Sequence, residues 1–136
     1  VPVLDISDHA FVAVAPAAVR HRPAGPCGLA AWVPGLGLDL VVDRGDEGLL
    51  WRAAAVDGGR RHWVGTAEVW LERWHDGTVV HLYVRLDPQD AWAVVDPRAV
   101  SRWREALRDR WRAAFLAWRR TVDGRRRAGD EADCAP

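Results

Sequence analysis

A chain of 136 residues, 49% hydrophobic and 28% charged, has room for one domain with its own core and not for two. Its 19 arginines balance 19 acidic residues, so the molecule as a whole lacks the positive excess that marks nucleic-acid binders. No run approaches the ~18 apolar residues of a membrane helix, which argues against stable membrane insertion.

The charge is unevenly spread. Residues 1–97 hold 13 acids and 8 arginines, while residues 98–136 hold 6 acids and 11 arginines. Lys, Asn and Met are absent, as a GC-rich coding bias would produce, so arginine content alone says little about partners. Cys27 and Cys134 make no disulfide framework and read as free intracellular thiols. The apolar stretch from Ala10 to Val19 is interrupted by Pro16 and lacks a basic leader, so it does not read as a signal peptide. The expectation is a cytoplasmic protein.

Residues 8–15, DHAFVAVA, alternate like a strand, with Phe11 and Ala13 on one side and Val12 and Val14 on the other. Pro16 suits the first turn of a short helix, PAAVRHR. After a Pro- and Gly-rich break, Cys27 to Trp32 predicts a second short helical piece, stopped by Pro34 and Gly35. Leu36 to Asp43 and Leu49 to Val56 read as strands joined by a turn at Arg44-Gly45-Asp46, with Gly58-Gly59 as the exit.

The strongest local signal follows, GTAEVWLERWHDGTVVHLYVRL from Gly65 to Leu86. Asp76-Gly77 between two alternating runs predicts a hairpin closed by a two-residue turn. His75 then faces Thr78. One face pairs Glu72 with His81, Trp70 with Tyr83 and Glu68 with Arg85; the other pairs Leu71 with Leu82, Val69 with Val84 and Ala67 with Leu86. One face is apolar and the other polar and aromatic.

A connection containing Trp92 leads to Asp96-Pro97, an N-cap followed by proline at the first helical position. The helix beyond it is predicted to about Val122, ended by Gly124. At ~100° per residue, Val100, Trp103, Leu107, Trp111, Ala114, Phe115, Trp118 and Val122 share one arc. Arg104 sits among them. The domain is thus placed at residues 1–122, with 123–136 a disordered tail. An apolar stripe and an apolar sheet face are both covered if the helix packs on the sheet, giving an α+β fold with a crevice between them.

The pieces VAVAPAAV, AAWVPGLGLDLVVDRG, GLLWRAAAV, the hairpin and SRWREALRDRW resemble the START/Bet v 1-like helix-grip superfamily, in particular small bacterial polyketide cyclase/dehydrase-type proteins. The resemblance covers residues 8–120. It implies a curved antiparallel sheet of five to six strands wrapped on a long C-terminal helix, with two short helices after the first strand. It also implies a cavity for planar or lipid-like molecules such as polyketides, sterols, quinones or acyl chains; some members are aromatase/cyclases and many only bind or carry. This chain is shorter than the largest members.

Two readings stand for each candidate group. Glu72, His81 and Tyr83 can form an acid–base set in the crevice, or lie on a solvated outer face where charges pair across strands. The need of the apolar face for the helix favours the outer face, which would leave Trp70 and Tyr83 as a self-association surface. Arg104 can hold an anionic oxygen in the crevice, or lay its stem on apolar surface with its head in water. The nine tryptophans can wall a cavity or fill a core of small residues.

The histidines and cysteines show no metal spacing, and no cofactor motif is present. Three functions follow. One is a module binding a hydrophobic ligand on walls of Trp32, Leu38, Trp51, Val69, Leu71, Leu82, Val84, Trp103, Leu107 and Trp111, with Arg104 as anchor. The second is a cyclase using the same cavity, with Arg104, Tyr83, His81 or Glu72 moving protons. The third is an interaction protein with a collapsed cavity, a homodimer through the outer sheet face being its simplest form. The direction in which Glu72, His81 and Tyr83 point separates them.

Overall fold

The computed structural model describes residues 3–21, 28–33, 35–90 and 95–128. Five strands, β1 (Leu4–Val12), β2 (Gly37–Asp43), β3 (Gly48–Val56), β4 (His62–Trp74) and β5 (Gly77–Pro88), form one antiparallel sheet in the order β1-β5-β4-β3-β2. Helix α1 (Pro16–His21) and a 3-10 turn (Gly28–Trp32) follow β1, and α2 (Pro97–Ala128) closes the described chain. A second 3-10 turn, Gly45–Glu47, joins β2 to β3.

The ends of two elements differ from the sequence expectation. β1 begins at Leu4 rather than at Asp8 and ends at Val12. Its inward residues are Leu4, Ile6, Asp8 and Val12, so a carboxylate interrupts the apolar alternation that would have revealed the strand. Helix α2 runs through Gly124 to Ala128, because one glycine lowers helix propensity by only about 1 kcal/mol and does not by itself break the helix. Trp92, Cys27, Cys134 and residues 129–136 lie outside the described residues.

The hairpin forms, with its turn one residue earlier than expected. The loop is His75-Asp76, and Trp74 pairs with Gly77. His75 takes the positive φ, at 54°. Gly77 serves the sheet instead of the turn: a Cβ there would collide with the Phe11 ring and the Val12 carbonyl oxygen of β1. Partners therefore shift, so that Val69 pairs with Leu82, Trp70 with His81 and Glu68 with Tyr83, in place of Val84, Tyr83 and Arg85. Each partner moves by an even number of positions, so no side chain changes face. Ala67, Val69, Leu71, Val80, Leu82, Val84 and Leu86 are all buried.

Helix α2 covers this apolar face. Asp96 caps it, Oδ1 accepting the Arg98 backbone N–H at 3.0 Å. Val100, Leu107, Trp111, Phe115 and Val122 of its stripe are buried, and Trp103, Ala114 and Trp118 pack against the same core. The helix lies closest to β1 and to the 3-10 turn that carries Trp32.

Candidate functional site

The concave face of the sheet is filled largely by indoles. Trp32 is 2% exposed, with the rings of Trp118, Phe115 and Trp111 around it at centroid distances of 4.9, 5.4 and 6.0 Å. Trp51 and Trp63 of β3 and β4 are buried as well, and Trp63 meets Trp103 edge to face at 5.3 Å. Of the ten apolar residues expected as cavity walls, Trp32, Trp51, Val69, Leu71, Leu82, Val84, Leu107 and Trp111 are buried core; Leu38 and Trp103 are half-buried at its margins. The structure thus brings these residues into and against one hydrophobic cluster.

The four candidate catalytic groups are not together in that core. Glu72, His81 and Tyr83 project from the opposite face of the hairpin, with Tyr83 40% exposed. His81 Nε2 lies 3.3 Å from Glu72 Oε1, and its ring stacks on Trp70 at 4.7 Å and faces Tyr83 at 6.1 Å. His9 of β1 adds a tilted contact at 6.0 Å. This is a cross-strand aromatic and polar row on the outer side of the sheet.

Arg104 also departs from its expected place. Its exposed side chain touches Ser101 Oγ at 3.4 Å and Glu105 at 3.8 Å, and it borders a shallow depression of about 190 Å³ with Asp5 and Ser7. The flank of the apolar arc runs past the β1 edge into solvent at this turn of α2. The arginine anchor expected in the crevice is therefore absent from this position.

Asp8, which the sequence reading did not single out, is the charge that does meet the helix. It is 9% exposed, on the inner side of β1. Oδ2 accepts Trp111 Nε1–H at 3.1 Å and Arg112 Nε–H at 2.8 Å, and Oδ1 accepts the His9 backbone N–H at 3.0 Å. Arg108 lies 3.7 Å away. Burial alone would raise the carboxyl pKa, but the Arg112 and His9 hydrogen bonds and the charges of Arg112 and Arg108 outweigh it and hold the group below the ordinary aspartate value. The alternation of Leu4 and Ile6, which reaches Asp8 two residues beyond Ile6, was the available signal, and the charge masked it.

Two open clefts lie at the end of the molecule where α2 begins. One, of about 410 Å³, is formed by the β3–β4 turn and the first turns of α2. Val95, Val100 and Trp103 give it an apolar floor, and Asp57, Arg61, Asp96 and Arg102 stand around it. Asp57 shapes this end. Its Oδ1 accepts the backbone N–H groups of Gly59 and Arg61, each at 2.9 Å, and its Oδ2 accepts Trp63 Nε1–H at 3.0 Å. Burial would again raise this carboxyl, and the Trp63, Arg61 and Gly59 hydrogen bonds with the Arg61 charge bring it down. The second cleft, about 400 Å³, shares Arg61 and adds Arg60, His62, Pro88, Gln89 and Asp90. Neither includes Glu72, His81, Tyr83 or Arg104. Among the described residues, no three His, Cys, Asp or Glu side chains group as metal ligands, and no helix is long and apolar enough to cross a membrane.

No family model matches the sequence, and no curated protein matches it. Solved structures do. The Aha1 dimer from Colwellia psychrerythraea is similar over 85% of this chain and 92% of its own, with a TM-score of 0.53 at 10% identity. The Mll3558 protein from Rhizobium loti is similar over 83% and 97%, with a TM-score of 0.52 at 12% identity. The antiparallel sheet in the order β1-β5-β4-β3-β2, the two short helical pieces after β1 and the long C-terminal helix make up a helix-grip architecture. The fold is a Bet v 1-like helix grip. The Zhui aromatase/cyclase of a Streptomyces species also matches, over 92% of this chain and 96% of its own, at a TM-score of 0.45 and 15% identity. In this helix grip Trp111, Phe115 and Trp118 of α2 pack on Trp32 of the 3-10 turn, and among the described residues a cleft with an apolar floor lies at the N-terminal end of α2.

Proposed function

We propose that the protein binds a small, largely apolar molecule in the cleft between the β3–β4 turn and the start of α2. The observation that carries this reading is an apolar floor of Val95, Val100 and Trp103 in a space of about 410 Å³. That volume falls within the range of about 300–1,000 Å³ common to small-molecule sites, and an apolar lining with a few polar groups at the rim is their usual chemistry. The size favours a single ring system or a short acyl chain over a sterol. The cyclase alternative loses support because Glu72, His81 and Tyr83 stand on the other side of the sheet, away from the apolar floor.

The test is a tryptophan-fluorescence titration with a flat polycyclic phenol, a quinone, a fatty acid and a sterol. A saturable response to one class, weakened about tenfold in Trp103→Ala and unchanged in Trp70→Ala, is the expected result. Equal affinity in wild type and Trp103→Ala would remove the site from this cleft.

A second reading concerns the outer face. Phe11, Trp74 and Tyr83 are 41%, 55% and 40% exposed, and the row of His9, His81 and Trp70 lies beside them. Such a patch favours pairing of two copies through this face. Sedimentation of wild type and Tyr83→Glu across a concentration series tests it: a dimer abolished by the substitution is expected.

A further inference from the structure

We infer that the cleft at the start of α2 takes an amphipathic anion, with a carboxylate or phosphate head on Arg61 and Arg102 and an apolar chain on Val95, Val100 and Trp103. The inference rests on the binding reading above and adds the ligand's charge and orientation.

Formal charges at the cleft balance, but the two carboxylates have protein partners and the two guanidinium groups do not. Asp57 accepts three N–H donors, from Gly59, Arg61 and Trp63, and Asp96 accepts the backbone N–H of Arg98. The guanidinium groups of Arg61 and Arg102 are exposed and make no hydrogen bond or ion pair among the described residues, although Asp57 lies near enough to Arg61 to feel its charge. Two hydrated guanidinium groups without protein acceptors among the described residues therefore border a space whose floor is apolar.

A planar guanidinium fork matches carboxylate and phosphate oxygens. A ligand with one anionic end and one apolar end satisfies both halves of the cleft. A neutral apolar molecule leaves the forks unused, and a bare inorganic anion leaves the floor uncovered. Arg61 also borders the second cleft, where Arg60 and His62 stand together with Asp90.

Calorimetric titration with sodium octanoate, octyl phosphate, 1-octanol and inorganic phosphate tests this, with the indole N–H resonance of Trp103 reporting the site. Octanoate or octyl phosphate is expected to bind about tenfold more tightly than octanol at low salt. That preference should disappear in Arg61→Gln/Arg102→Gln while octanol affinity stays unchanged. Whichever of octanoate and octyl phosphate binds more tightly identifies the head group. Octanol binding as tightly as both, or an unchanged preference in the double variant, overturns the anionic head and leaves the apolar site standing. Inorganic phosphate binding as tightly as octyl phosphate overturns the amphipathic assignment. Absence of any binding, with the Trp103 resonance unmoved, overturns both this inference and the reading beneath it.

Discussion

Replacing Asp8 with alanine is the perturbation from which most can be learned, because one carboxylate joins β1 to α2 through two different donors. The Trp111 indole N–H, at 3.1 Å, belongs to a side chain only 1% exposed. When its acceptor is removed, the donor stays buried without a partner. An orphaned buried donor costs about 1–3 kcal/mol. Arg112 is different: its side chain is 54% exposed and regains water, so its lost contact adds little to the cost.

Removing the carboxylate also relieves its own desolvation, which keeps the expected loss near about 2 kcal/mol. For a chain of this length that is a fall in Tm of roughly 5–10 °C. Urea melts followed by circular dichroism give the value. Trp111→Phe supplies the control, since it keeps an aromatic ring and deletes the donor. In that background Asp8→Ala should cost about 1–2 kcal/mol less than in wild type. Equal cost in both backgrounds would refute the assignment of the energy to the indole hydrogen bond.

Acid stability should follow the same carboxylates. The native pKa values of Asp8 and Asp57 lie below the ordinary 3.8. Their contribution is therefore complete above 3.8 and is lost as pH falls through the depressed native values. Melts across this window should show a shallower acid loss in Asp8→Ala than in wild type. Asp57→Ala should loosen the β3–β4 turn and strand the Trp63 donor, lowering stability by about 1–3 kcal/mol; equilibrium melts check this. Gly77→Ala should be severe, by about 3 kcal/mol or more, because the methyl group meets the β1 backbone as well as the Phe11 ring. A variant as stable as wild type would show that the close β1–β5 approach is not required.

The apolar pattern made the sheet and helix legible because each has a fixed period. Residues Val100 to Val122 of α2 and the alternation of Ala67, Val69 and Leu71 led directly to the buried faces. The hairpin illustrates what pattern alone misses. Parity assigned every side chain to its face, but the choice between Asp76-Gly77 and His75-Asp76 as the loop depended on how near β1 comes to Gly77, a distance held by no local signal. Arg104 failed for a related reason: helical angle gives direction but not where the sheet ends. Asp8 and Asp57 were passed over because an acidic residue near a turn or strand end reads as solvent-facing until its donors are known. The cleft joins residues on either side of the fold, Asp57 to Arg61 and Val95 to Trp103, so only the closed fold brings it into view.

The packing around Trp32 has a further consequence. Its indole sits against Trp111, Phe115 and Trp118 in the buried core. The chain in effect carries its own occupant there, tethered by a backbone bond. Excising that ring in Trp32→Gly would leave an indole-shaped vacancy, and free indole added to the solution should restore part of the lost stability by refilling it.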